Sequence, residues 1–166
     1  MDARTLALKA HEGQKYGNLP YTVHLGRVVA LVRGYGKVAE DIAWLHDAVE
    51  DTALTLEAVE EVCGPVVARC VDLLTDPPGA NRRERKAKAY ARLAAVDVTN
   101  VDEAWALLVK AADRLTNVES ATQNRLVSLL GMYRSEHEAF RAAVLRPGWN
   151  DAFVEQTDAL LGEPHA

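Results

Sequence analysis

The chain has 166 residues, 49% of them hydrophobic, and a net charge of −5 at neutral pH. That length makes one domain with ample apolar material for a core, and the acidic balance excludes a general nucleic-acid binder. No stretch reaches the roughly 20 apolar residues that would span a bilayer, so no membrane partner is expected.

Two cysteines, Cys63 and Cys70, stand on either side of Gly64-Pro65 with no CxxC pair, so they read as half-buried thiols in a reducing cytosol rather than as zinc ligands. The first residues include Asp2 and Arg4 and no long apolar run; the expectation is no signal peptide and a cytoplasmic location.

Residues 3–12 read as a first helix with Leu6, Ala7 and Ala10 on one face. Gly13 and Gly17 punctuate the next segment, which leaves Gln14, Lys15 and Tyr16 exposed near a bend. Pro20 suits the first turn of a second helix that runs to about Arg33, with His24 in that turn and Val23, Val28, Ala30, Leu31 and Val32 as its apolar face. Gly34-Tyr35-Gly36 closes it. A third helix covers Val38 to Glu50, where Ile42, Leu45 and Val49 keep the spacing of a buried face. Thr55 caps Leu56–Val62, and Gly64-Pro65 ends that helix and opens a fifth, which runs into Thr75.

Asp76-Pro77-Pro78-Gly79 is a break. The most basic stretch comes next, Asn81-Arg82-Arg83-Glu84-Arg85-Lys86-Ala87-Lys88, and continues as a helix into Ala94. Cations in a first turn oppose the helix dipole, so an anionic ligand accounts for them better than helix stability does; the plainer alternative is a solvated face. Asn100 and Glu103 make an N-terminal capping pattern for a seventh helix, in which Trp105, Leu108, Val109, Ala112 and Leu115 form a stripe and Asp113 and Asn117 lie one turn apart. An eighth helix spans Leu126–Leu145 and a last one Asp151–Leu161. No alternating strand pattern and no repeat is present. The fold class is all-α, a bundle of about eight or nine helices over residues 1–166, with residues 121–166 completing it. The apolar residues of the last two helices leave room for a homodimer.

The chemistry is concentrated in Ala43-Trp44-Leu45-His46-Asp47-Ala48-Val49-Glu50-Asp51-Thr52. Two adjacent ligand-type side chains end an apolar helical run, and a buried Asp needs a partner or a metal. His24 and Asp113, each in an apolar helix, are the candidates to complete the set. His24, His46, Asp47 and Asp113 are two imidazoles and two carboxylates, which suit a borderline to hard divalent ion such as Mn, Fe, Zn or Mg. Glu50, one turn beyond His46, can serve beside such an ion as general base or acid, and Asp51 is the next residue.

These segments resemble a known family. Ala10-His11-Glu12-Gly13-Gln14-Lys15, Pro20-Tyr21-Thr22-Val23-His24, Leu45-His46-Asp47-Ala48-Val49-Glu50-Asp51-Thr52 and Ala112-Asp113-Arg114-Leu115-Thr116-Asn117 are similar, in order, to the motifs of the HD superfamily, in its branch of RelA/SpoT-type alarmone hydrolase domains and stand-alone small alarmone hydrolases. The resemblance covers about residues 3–120. It implies an HD-domain bundle in which His24, His46, Asp47 and Asp113 bind one metal, usually manganese, and Glu50 and Asp51 position and activate water. Lys15 and Asn117 would lie on the nucleotide side, and Arg82, Arg85, Lys86 and Lys88 would bind phosphates. The implied reaction removes the 3′-pyrophosphate of guanosine tetra- or pentaphosphate, giving GDP or GTP and pyrophosphate. No synthetase half is present, so hydrolysis without synthesis is expected.

This chain departs from the family at His24-Leu25 (commonly His-Pro), at Thr116 (commonly His), and in the short loop Tyr16-Gly17-Asn18-Leu19, which lacks the usual cations. These positions bear on the substrate rather than the metal. The alternatives are another phosphorylated nucleotide, such as the 2′-phosphate of NADPH or a nucleoside monophosphate, or a nucleotide-binding module without turnover. The Glu50-Asp51 pair argues against the module, since a sensor needs no water-activating acids.

Overall fold

The computed structural model describes residues 1–162. Asp2 caps α1 (Ala3–Ala10), its carboxylate accepting from Thr5 N at 2.8 Å. A two-rung antiparallel ladder comes after it, β1 (Lys15–Tyr16) with β2 (Leu19–Pro20), turned by Gly17 at φ 59°. Next come α2 (Tyr21–Val32), a single 3-10 turn at Arg33–Tyr35, α3 (Lys37–Leu45) and α4 (Ala48–Asp51). Thr55 caps α5 (Leu56–Cys63), and Gly64 turns the chain at φ 86° into α6 (Pro65–Leu74). Asn81 caps α7 (Arg82–Ala94), accepting from Glu84 N. α8 (Val101–Gln123), α9 (Val127–Val144) and α10 (Asp151–Leu161) complete the described chain.

The all-α expectation holds, with three local corrections. The expected third helix is two: it is interrupted by a turn at His46-Asp47, where Asp47 stands at φ −106°, ψ −5°, and restarts at Ala48. The break leaves Glu50 and Asp51 in the single turn of α4, where Asp51 N donates to Asp47 O at 2.9 Å. Asn100 makes no side-chain cap; Glu103, its expected partner, pairs instead with Arg69 Nε at 2.9 Å. In α2 the buried apolar positions are Leu25, Val28, Val29 and Val32, with His24 buried beside them, while Ala30 faces solvent.

α8 is the axis. It packs against α2, α3, α6, α9 and α10, and fifteen of its 23 residues are buried, so it is enclosed nearly all round. Its buried charges, Lys110, Asp113 and Arg114, therefore sit in the interior and need partners there. The inward residues of α9 and α10, among them Phe140, Val144, Phe153 and Val154, join the core of this one chain. That removes the ground on which the sequence left room for a second copy. Among the described residues no helix is long and apolar enough to cross a membrane.

Candidate metal centre

Three packing helices bring four ligand-type side chains to one point. His24 comes from the first turn of α2, His46 and Asp47 from the break between α3 and α4, and Asp113 from the middle of α8. His24 Nε2 lies 3.2 Å from Asp113 Oδ1 and 3.7 Å from Asp47 Oδ2; His46 Nε2 lies 3.4 Å and 3.0 Å from the same two oxygens. Ligands about 2.1 Å from one ion stand roughly 3.0–3.4 Å apart at octahedral to tetrahedral angles, and the distances of 3.0, 3.2 and 3.4 Å fall in that range.

Proton bookkeeping supports the fit. His46 Nδ1 donates to Ala43 O at 2.8 Å, which leaves the Nε2 lone pair of the neutral ring facing carboxylate oxygens. His46 Nε2 is fully buried and makes no hydrogen bond despite those short distances. In the neutral ring a metal cation between the groups turns that repulsion into attraction, and without one a ring proton does the same. Burial alone would push both imidazoles down and both carboxyls up, but their mutual proximity more than offsets it. His24 and His46 are held above the ordinary histidine range, and Asp47 and Asp113 well below the ordinary aspartate range.

The cluster opens into a cleft of about 160 Å³ between α4, α7, α8 and α9. Glu50 lines it and accepts from Asp76 N at 2.9 Å; burial, joined by the Asp76 charge, pushes its carboxyl above the usual range. Asp51 stands behind Asp47 and is raised likewise, by burial and then by Asp47. Tyr21 OH ties the two together, donating to Asp47 Oδ2 at 2.6 Å with Asp51 Oδ2 at 3.3 Å. Asn117 Nδ2 donates to Asp113 Oδ1 at 2.7 Å, and its own Oδ1 accepts from Tyr16 OH at 2.6 Å.

The basic helix divides. Arg82 and Lys86, four residues apart on one face of α7, line the cleft. Lys86 Nζ pairs with Asp76 at 2.7 Å, and burial together with the neighbouring Lys110 lowers its affinity for the proton. Arg82 forks onto Glu136 of α9 at 2.7 and 3.2 Å. Arg85 and Lys88 do not line the cleft. Lys88 Nζ is held by Pro78 O and Glu84, and Arg85 packs on Gly79. Lys15, exposed on β1, borders a separate shallow groove with Glu12 and Asn18. Arg134 and Arg141 turn to α10: Arg134 donates to Leu161 O and Arg141 to Asp158, beside the buried His137.

Several residues at the site escape a reading by sequence pattern. Tyr16 stacks on His24 with ring centroids 4.7 Å apart rather than lying exposed. Gln14 bridges His11 Nδ1 and Asp51 O. Lys110 and Arg114 line the cleft from α8. The signal for those two was their i, i+4 spacing across Asp113 in a helix too apolar for unpartnered charge.

The HD domain family profile matches residues 3–135. Among curated proteins the chain is 30% identical over 121 residues to a GTP pyrophosphokinase of Brucella melitensis, an alignment covering 71% of this chain and 16% of that one. It is 30% identical over 125 residues to a guanosine-3′,5′-bis(diphosphate) 3′-pyrophosphohydrolase of Danio rerio, covering 71% and 66%. The chain thus spans about a sixth of the Brucella protein's length. Among solved structures, one described as a metazoan ortholog of SpoT that hydrolyzes ppGpp superposes with a TM-score of 0.76 at 23% identity, over 97% of this chain and 92% of that one. A Listeria monocytogenes protein superposes at 0.65 and 21% identity, over 86% and 98%. At those identities the structural likeness is one of fold.

Proposed function

This chain belongs to the HD domain family, and on that premise we propose that it is a metal-dependent phosphohydrolase that removes the 3′-pyrophosphate of guanosine tetra- or pentaphosphate. The observation that carries the reading is the convergence of four ligand atoms, all within 4.8 Å of one another, at the floor of a cleft walled by cations. The curated relatives support the substrate: the Danio rerio protein bears the name of that activity.

In this reading His24, His46, Asp47 and Asp113 hold one ion, and manganese suits the mixed nitrogen and oxygen donors. When bound, such an ion supplies positive charge for the reacting phosphate oxygens and acidifies water. Water adds to the phosphorus attached to the 3′-oxygen; that P–O bond breaks, and pyrophosphate departs. Glu50, on the wall of the cleft with its carboxyl raised, takes the proton that the water sheds, and Asp51, linked to Asp47 through Tyr21, helps to position that water. The freed 3′-oxygen takes up a proton in turn, giving GDP or GTP. Arg82 and Lys86 hold phosphate oxygens from α7, and Asn117 keeps Asp113 aligned. Lys15, Arg85 and Lys88 take no part in this geometry. A cytoplasmic location fits a nucleotide substrate and two free thiols.

The test is pyrophosphate release from guanosine tetraphosphate by manganese-loaded protein. Release is expected, falling to background in Asp47→Ala together with bound metal. Absence of release from protein with one manganese bound would move the substrate to another phosphorylated nucleotide.

A further inference from the structure

We infer that Lys110 and Arg114 of α8 form the inner half of a phosphate-binding clamp, facing the outer half supplied by Arg82 and Lys86. Both line the cleft beside Asp113. Arg114 is 5% exposed and held rigidly, its guanidinium 4.9 Å from the Tyr133 ring centroid and 4.5 Å from that of Phe140. Its Nη2 donates to Tyr90 OH at 2.9 Å and to Glu136 Oε2 at 3.3 Å. Its Nη1 is buried with no partner among the described residues. An unpaired buried guanidinium N–H is costly, and Nη1 keeps donors that an oxygen of a phosphate can accept from.

Lys110 repeats the pattern one turn earlier. It is 8% exposed, and its Nζ makes no hydrogen bond among the described residues. One carboxylate oxygen, Asp113 Oδ2, lies within 4 Å of it, at 3.6 Å. An ammonium carries three donors, and one long contact to Asp113 leaves this one with capacity for an anion in the cleft that it lines. A structural role for Lys110 would instead place it in a close ion pair, as Lys88 is with Glu84 at 2.7 Å outside the cleft.

Charge around the cleft sets the condition for binding. Arg82, Lys86, Lys110 and Arg114 face Asp47, Glu50 and Asp113, while Asp76 and Glu136 lean on the cations from behind. Acids outnumber bases by one in that group, and a divalent ion reverses the sign. Glu136, bonded to Arg82 and Arg114 together, is the internal competitor of any phosphate that enters.

The choice of ligand class rests on the phosphohydrolase reading, so the test separates the two. Inorganic pyrophosphate is titrated calorimetrically into metal-loaded protein, with metal content measured for every variant. Lys110→Met and Arg114→Lys are each expected to weaken pyrophosphate binding about tenfold or more, the scale of a lost charge-assisted hydrogen bond. Lys110→Arg is expected to stay within about threefold of wild type, and Glu136→Gln to bind more tightly, because removing a competing carboxylate frees both arginines. Wild-type affinity in Lys110→Met and Arg114→Lys at full metal content overturns the inference. So does a wild type that hydrolyses guanosine tetraphosphate yet binds no pyrophosphate. Weakened binding in the variants of a protein that leaves guanosine tetraphosphate intact upholds the clamp and rejects that substrate.

Discussion

Tyr21 carries two constraints with one hydroxyl. Its proton goes to Asp47 Oδ2 at 2.6 Å, and Asp51 Oδ2 lies at 3.3 Å, so the proposed ligand carboxylate and the proposed water-activating carboxylate share one phenol. Burial and the adjacent Asp47 push the phenol far above its ordinary pKa, so it stays a donor at every working pH. The ring itself is fixed by stacking on His11 at 4.7 Å. Tyr21→Phe keeps the ring and removes the proton. Loss of such an outer partner costs about 10- to 100-fold in metal affinity or activity. We expect kcat to fall by that order with metal saturating; unchanged turnover and unchanged metal affinity would show that the hydroxyl orients nothing. Glu50→Gln is expected to keep its metal and lose most turnover in the same assay, and full activity would take Glu50 out of the mechanism.

At the scale of elements, the contact between α7 and α9 is decided by one acid. Glu136 is the carboxylate between Arg82 and Arg114, and although burial alone would raise it, the two guanidinium charges hold it below the ordinary glutamate range. A carboxyl whose folded pKa is depressed stabilises the fold above its unfolded pKa, about 4.3, and loses that contribution as pH falls through the folded value. Wild type is therefore expected to exceed Glu136→Gln in stability at pH 7, and the gap should close on acidification below about pH 4. Denaturant midpoints of both proteins across that range check it; a gap independent of pH would mean the acid is not ionised in the pair. The break between α3 and α4 is the other decision at this scale. A continuous helix would have carried His46 and Glu50 along one face; with the break at Asp47, Asp47 and Glu50 line the cleft and His46 lies buried behind Asp47 and Asp113.

For the whole molecule, the candidate centre is a staple. Its four ligand groups come from α2, the α3–α4 break and α8, so an ion held there joins segments as far apart in sequence as His24 and Asp113. Anything that binds the folded state alone stabilises it by RT ln(1 + [L]/Kd), about 2.7 kcal/mol at a hundredfold excess over Kd. For a chain of this size that is roughly a 5–10 °C rise in Tm. Manganese should produce such a shift, a chelator should reverse it, and Asp113→Asn should abolish it. Equal melting of metal-free and metal-supplied protein would deny the staple.

The sequence determines by itself whatever depends on local spacing. Apolar residues at three- and four-residue intervals dictate helices, and Gly64-Pro65 and Asp76-Pro77-Pro78-Gly79 forbid their continuation. The rarity of unpaired His and Asp in apolar helices singles out His24, His46, Asp47 and Asp113 before any packing is known. Tertiary structure decides whatever depends on which faces meet. It turns Tyr16 onto His24, sets Arg82 and Lys86 in the cleft and leaves Arg85 and Lys88 outside, and gives Glu136 two arginines from different helices. Those partners are up to 54 residues apart in the chain. Local periodicity carries no record of such distances, because the energy that selects each partner is the desolvation and pairing of charge in a core that exists only once the bundle has closed.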